Sequence, residues 1–507
     1  MLPPGRQAGV CLHITALPGP YGIGEIGQCA FDFIDAMRAM RLTAWQFLPT
    51  GPTAYSDSPY QPLSTFAGNE LLIDIRDLIA TGMLEREETQ DLAALPTDHV
   101  DYGVLIPIKN HLLRLAAGRF EDMATPELRA ACDKFVEDND ELWLHDYALY
   151  RIVRTQHGER PWPEWAPEYV HRDPGAMRQL ESSANAQIAD IKVIQFLFFE
   201  QWGRLRQYAN DNGIYLFGDM PFCTALDSAD AWVHQEILRI DRDGHPAAVA
   251  GVPPDYFSED GQIWGTPLYD WDAHARSNYR WWIERLRAST KLSDMVRIDH
   301  FRGFEAYWSV PADSETARTG AWMPGPGDAI FDAMRDALGN LPIVAENLGV
   351  ITPAVEDLRQ GHNIPGMVVL QVDIANEDFD LLEVAPDNVC YTGTHDNDTT
   401  VGWFHGSPGD LRTGLEIKKT QRAALQITGG MPETIHLDTI RAAFSTDARL
   451  AIAPLQDYLG LGSESRFNVP GTSSYNWRWR LKDSQLSSAV KAQVAAMVEE
   501  SGRALQN

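Results

Sequence analysis

Four acidic residues stand where a short apolar run stops: Asp219 in "IYLFGDMPF", Asp299 in "DMVRIDHF", Glu346 in "PIVAENLG" and Asp396 in "NVCYTGTHD". Charge at the end of an apolar strand costs desolvation, so four repetitions call for a common cause. No Cys/His metal cluster accompanies them. A pocket ringed by carboxylates points to acid/base and nucleophilic work on a neutral polar substrate, with glycoside chemistry the leading case. Asp299 and Glu346 close consecutive runs. If these are neighbouring strands, about 4.8 Å apart, their carboxyl groups fall near the roughly 5–5.5 Å separation of retaining glycosidases rather than the wider gap of inverting ones. Arg297 precedes Asp299 by two residues and therefore shares its face of the strand, where its charge would keep Asp299 ionised. His300 and Arg302 add to the charge density there. Glu346 has no cation beside it in sequence, which suits a group that must hold a proton. Each motif has a plainer reading on its own: "VRIDH" a buried ion pair, "AENLG" a helix cap, "GTHDND" a polar loop. Their recurrence at successive run ends favours a site.

Such a site needs strand ends gathered in one place. Eight segments are apolar for a few residues and then end in Gly, Pro, Asp, Glu or His: 9–19, 44–52, 214–222, 294–301, 342–349, 366–374, 388–396 and 448–457. Between most of them lie helix-like patterns, such as "CAFDFIDAMRAMRL" (29–42) and "DAIFDAMRDALGNL" (328–341). Strands alternating with helices favour a parallel sheet, and eight units favour closure into a (β/α)8 TIM barrel, whose functional groups sit at the C-terminal strand ends. An open doubly wound sheet is the alternative, weakened by the absence of GxGxxG after the first strand. The whole of 1–507 is predicted as one catalytic barrel. The long gap between the second and third runs predicts a mostly helical insertion over about 70–200. A second insertion, about 223–276, is rich in Pro, Gly, Tyr and Trp, lacks periodicity, and reads as long ordered substrate-binding loops.

Composition narrows the partner. The chain has 507 residues, 71 acidic against 42 basic, for a net charge of −29. That balance repels nucleic acid and anionic membrane and disfavours phosphate-rich ligands. Five scattered cysteines (Cys11, Cys29, Cys132, Cys223, Cys390) form no CxxC pair, and they read as reduced thiols in a cytoplasmic protein. No leader-like apolar region follows the basic start, and no stretch approaches a membrane span. The 15 Trp and 16 Tyr are more often core than ligand platforms. Clusters such as "PPDYFSEDGQIWGTPLY" nevertheless fall in predicted loops, where flat rings can stack on sugars.

The segments "LPGPYGIGEIG" (17–27), "DSPYQPLSTFAGN" (57–69), "GDMPF" (218–222), "AGVPPDYFSEDGQIWGTPLYDW" (250–271), "RIDHFRGFEAYW" (297–308), "AENLGVITPAV" (345–355), "TGTHDND" (392–398) and "RFNVPGTSSYNWRWRL" (466–481) together resemble the amylomaltases, or 4-α-glucanotransferases, a branch of the α-amylase clan. The resemblance spans nearly the whole chain. It implies transfer of α-1,4-glucan segments between malto-oligosaccharides with retention, on a barrel lacking the amylases' C-terminal all-β domain, without metal or organic cofactor. By the same resemblance Asp299 is the nucleophile, Glu346 the general acid/base, and Asp396 the carboxylate stabilising the distorted sugar, helped by His395 and Arg297. Tyr60 would stack under the reacting glucose, Gln262 and Trp264 would line acceptor subsites, His300 would contact substrate, and Asp219 matches a family acid near the site. Hydrolysis by the same acids is the alternative activity, and a non-catalytic glycan binder is a third reading, disfavoured because the acids are present. One departure stands out: Asn347 occupies the position after Glu346 where the family commonly has Asp, which puts the pH tuning of Glu346 in question. The region from about 85 to 190 carries no assignable motif.

Overall fold

All eight apolar runs form strands. The computed structural model describes residues 2–504 apart from 55–56, 255–257, 408–409 and 473–474. In chain order its strands are β1 (Gln7–Cys11), β2 (Ala44–Gln46), β3 (Tyr215–Met220), β4 (Ala248–Val252), β5 (Gln262–Pro267), β6 (Met295–Ile298), β7 (Ala306–Pro311), β8 (Ala321–Pro324), β9 (Ile343–Ala345), β10 (Gly366–Val369), β11 (Asn388–Tyr391) and β12 (Leu450–Pro454). Eight of them form one sheet in the order β10-β11-β12-β1-β2-β3-β6-β9, and its recorded pairings are all parallel. Sequence neighbours within this set are spatial neighbours, the signature of successive β-α-β units. The two ends of the row meet through Ala345 N donating to Pro365 O at 2.8 Å and Met367 N donating to Asn347 Oδ1 at 2.8 Å. The fold is a (β/α)8 barrel, and no strand follows β12 among the described residues.

The barrel interior explains how the acids are aimed. Cys11, Ala44, Phe217, Met295, Val344, Met367, Val389 and Leu450, one from each barrel strand, are buried together in a single cluster, the packed layer such barrels need. Side chains alternate along a strand. Counting on by two from Phe217 gives Asp219, from Met295 gives Arg297 and then Asp299, and from Val344 gives Glu346. The functional acids therefore continue the inward-facing rows at the point where apolar packing stops.

Helices fill the interval between β2 and β3, among them Tyr102–Gly118, Pro126–Asn139, His145–Gln156 and Asn185–Asp211. Local signals set their starts. Asp101 accepts from Val104 N, Thr125 from Leu128 N with Pro126 in the first turn. The last of these helices, 27 residues long, packs on its neighbours in this interval and then leads into β3. Residues of the insertion and of the barrel share one buried cluster that includes Val10, Trp45, Leu105, Leu112, Phe196 and Trp202.

The interval 223–276 differs from the sequence expectation of loop. It supplies β4 and β5, which join β7 and β8 in an antiparallel sheet of order β5-β4-β7-β8. These strands were illegible because Gly251 and Gly265 interrupt them and the β4–β5 register shifts between Val249 and Gly251, which erases clean alternation. Of the quoted "PPDYFS" segment, Asp255, Tyr256 and Phe257 lie outside the described residues.

Candidate active site

A groove of about 1150 Å³ opens at the C-terminal ends of the barrel strands, lined by Tyr60, Arg297, Asp299, Glu346, His395 and Asp396 among others. Its chemistry starts from two strand ends. The β6–β9 ladder pairs Ile298 with Ala345, so Asp299 and Glu346 are the next residues of directly hydrogen-bonded neighbours. Past Asp299 the backbone enters the left-handed region at His300, φ 48°, an uncommon conformation for a side chain of this kind. The turn brings His300 N to Glu346 Oε2 at 2.7 Å, while Leu348 N donates to Glu346 Oε1 at 2.9 Å. Burial nevertheless dominates these bonds and the charge of Arg297, and raises the Glu346 carboxyl to about 7.

Arg297 has a different neighbourhood. Its Nη1 donates to both oxygens of Asp219, at 2.8 and 2.7 Å, and its Nη2 to Asp299 Oδ1 at 2.8 Å. Asp219 is buried; desolvation raises its pKa against the pull of Arg297. It also accepts from Tyr60 Oη at 2.8 Å. Both oxygens of Asp219 are thus committed to protein partners, and its place is behind the groove wall.

Tyr60 Oη lies 3.4 Å from His395 Nδ1, and the two rings stack with centroids 5.0 Å apart. On the other side of the imidazole, Nε2 pairs with Asp396 Oδ2 at 3.3 Å. Although burial works against the imidazolium, the adjacent Asp396 charge raises the His395 pKa. A doubly protonated ring can donate to Tyr60 and Asp396 at once, leaving the phenol proton for Asp219. The result is an unbroken polar chain from Asp396 through His395, Tyr60, Asp219 and Arg297 to Asp299. Asp396 is held well below the usual carboxylate range: burial opposes this, but the His395 charge and the hydrogen bonds from His395 and Asn468 prevail.

The structure brings Asp299, Glu346, Asp396, Tyr60, Arg297, His300, His395, Gln262 and Trp264 to one groove. Arg297 hydrogen-bonds Asp219 and Asp299 and acts on Asp396 through its charge, while the hydrogen bonds to the Asp396 carboxylate come from His395 and Asn468. Asn347 points away from Glu346: its Nδ2 donates to Glu356 Oε1 at 2.7 Å and its Oδ1 accepts from Met367 N. Gln262 and Trp264 lie on β5, Trp264 edge-on to the His300 ring at 4.9 Å. The His300 imidazole is driven down to about 4 by burial and is neutral near pH 7.

Sequence reasoning missed Asn468, Arg466 and Trp477. Asn468 Nδ2 donates to Asp396 Oδ1 and Arg466 Nη2 to the Asp396 carbonyl, both at 2.6 Å; the Trp477 ring lies 6.0 Å from Tyr60. All three belong to "RFNVPGTSSYNWRWRL", which follows the last strand and so offers no strand end to flag. Its density of Arg, Asn and Trp without periodicity was the available signal.

The 4-alpha-glucanotransferase family model matches residues 12–487. A 4-alpha-glucanotransferase of Thermus thermophilus is 43% identical over 509 residues, covering 98% of this chain and 99% of that protein. One of Streptococcus pneumoniae is 40% identical over 491 residues, covering 96% and 95%. The amylomaltase of Streptococcus agalactiae in complex with acarbose superposes with a TM-score of 0.92 at 34% identity, covering 99% of this chain and 100% of that one.

Proposed function

The chain belongs to the 4-α-glucanotransferase family, and from that premise we propose how its groove carries out the transfer. The enzyme disproportionates α-1,4-glucans. In our reading the Asp299 carboxylate attacks the anomeric carbon of the donor while Glu346 gives its proton to the glycosidic oxygen. The C1–O4 bond breaks, an ester forms on Asp299, and the departing chain leaves with a new 4-hydroxyl. Glu346, now a carboxylate, takes the proton from an acceptor 4-hydroxyl. That oxygen displaces Asp299 and restores the α-configuration, and Glu346 ends protonated as it began.

The observation that supports this reading is the pairing of β6 with β9: strands so paired lie about 4.8 Å apart, a spacing compatible with the roughly 5–5.5 Å between carboxyl groups that a covalent intermediate uses. Their environments divide the roles. Arg297 bonds Asp299, whereas Glu346 is raised to about 7 and so keeps a transferable proton near neutral pH. Asp396, ionised, is the third acid: it would bind hydroxyls of the distorted donor sugar and face its developing positive charge. Tyr60 would support that sugar with its ring, fixed at the hydroxyl by Asp219. Gln262 and Trp264 would meet the acceptor, glucose or a malto-oligosaccharide, in the cytoplasm.

Replacing Glu346 by Gln tests the assignment. Natural substrates, whose leaving oxygen needs a proton, should lose turnover by at least about a hundredfold. An α-glycosyl fluoride needs almost none, so it should still glycosylate Asp299, the ester should accumulate, and azide should restore turnover. Equal loss on both substrates with no azide rescue removes Glu346 from the acid/base role. With the unaltered enzyme, maltotriose should yield glucose and longer oligosaccharides together. A rise in reducing ends with every cleavage would favour hydrolysis instead.

A further inference from the structure

Resting on the reading just given, we propose that Trp322 is a distal acceptor subsite: a flat platform that holds the outer sugars of a long α-1,4-glucan acceptor and biases transfer towards longer chains. The ring is 38% exposed and lines the same groove as the catalytic acids. Large apolar side chains on a groove rim that stay in solvent lose little by being there, but a ring held rigid while exposed is prepared to bind.

The rigidity has named causes. Arg302 lies with its guanidinium carbon 3.7 Å from the Trp322 ring centroid, a stacked cation. Arg302 is itself buried and tied down at several points. Its Nη1 donates to Val350 O, its Nε reaches Ala306 O at 3.4 Å, and Glu305 stands 3.8 Å away. The Trp322 ring lies 5.0 Å from that of Trp308 at an interplanar angle of 67°, its cross-strand partner in the β7–β8 ladder. Arg302 stacks on the ring and Trp308 packs beside it, and part of the flat indole face remains in solvent. An axial row of C–H groups on a pyranose fits such a face, and ordering it there costs little because the ring is already fixed.

Connectivity places the platform on the acceptor side. Through Arg302 and Val350, Trp322 is joined to the segment that follows Glu346, the group that protonates the departing chain and deprotonates the arriving one. Its sheet also carries Gln262 and Trp264 at the opposite edge, on β5. In the reading above, the donor sugar is framed instead by Tyr60, His395, Asp396 and Asn468, which come from the segments after β2, β11 and β12.

The test isolates the acceptor. α-Maltotriosyl fluoride supplies the donor, and glucose or maltotetraose is varied as acceptor. In Trp322→Leu, which keeps apolar bulk but loses the plane, KM for maltotetraose should rise about tenfold and KM for glucose less than about threefold. Trp322→Phe, which restores a flat ring, should recover most of the difference. Equal rises for both acceptors, or no rise for either, overturn the proposal, as does a Phe variant no better than Leu. A loss that is cured by lengthening the fluoride donor to maltohexaosyl would put the ring on the donor side, and also overturns it. If the unaltered enzyme consumes the fluoride and glycosylates neither acceptor, the transfer reading of the whole groove falls, an outcome separate from a flat acceptor ratio in an enzyme that does transfer.

Discussion

Asn347 shows what a single residue reveals and withholds. Its identity is plain in the sequence, and its place beside Glu346 suggests an electrostatic influence on the acid. The alternation rule gives the opposite answer: if 346 faces inward, 347 faces outward. The structure follows the rule, with the side chain bridging Glu356 and Met367 N. Asn347→Asp should therefore leave the basic limb of the pH–rate profile where Glu346 sets it. That carboxyl is raised to about 7, so the protonated, active form declines as pH rises through 7, and kcat/KM should fall on that side in both proteins. The cost should appear in stability. A carboxylate at 347 faces Glu356 and loses the donor that Glu356 uses, which should lower unfolding free energy by about 1–3 kcal/mol in urea titrations at neutral pH. A basic limb that moves upward with no loss of stability would mean residue 347 acts on the acid after all. Asp219 was legible as a strand-end acid, but not its commitment to Arg297 and Tyr60, because Tyr60 lies 159 positions away in sequence.

At the scale of elements, the strands of the barrel were readable and those of the smaller sheet were lost. The eight barrel strands show as apolar runs because both sides of each are covered. The smaller sheet pairs β4 with β7 across an intervening barrel strand, and no local pattern announces such a partner. The helical interval behaves similarly: its periodicity is visible, its anchorage is not. The helix Tyr102–Gly118 buries Lys109 against Glu25, in the loop before the helix Gln28–Ala39. Desolvation raises Glu25 to about 7 despite the lysine, so the pair is expensive to keep and more expensive to break. Lys109→Met should cost about 3–5 kcal/mol, since it strands a buried carboxyl, and the double variant Glu25→Leu with Lys109→Met should regain most of it. Chemical denaturation of the three proteins measures the difference. A double variant as unstable as the single one would show that shape, not charge, fastens this helix.

For the molecule as a whole, closure was predictable from eight alternating units, but the point at which the circle closes was not. The net charge of −29 bears on solubility and on excluded partners and gives no hint of it. β9 and β10 carry no ladder. They are joined by Ala345 N to Pro365 O and by the Asn347 amide reaching Met367 N, with Gly366 so close that a Cβ would sit 3.0 Å from Asn347 Oδ1. The thinnest join in the barrel thus runs beside the strand that ends in Glu346. Proteins open first where backbone bonding is sparse. The amide protons of Ala345 and Met367 should accordingly exchange with deuterium sooner than those of Val296 and Ile298 on the adjoining strand. Each such opening lets the proton donor drift from the nucleophile while the remaining strands keep their places. On slow heating, transfer should consequently fade some degrees before the helical signal does, and return on cooling: the enzyme would switch off before it comes apart.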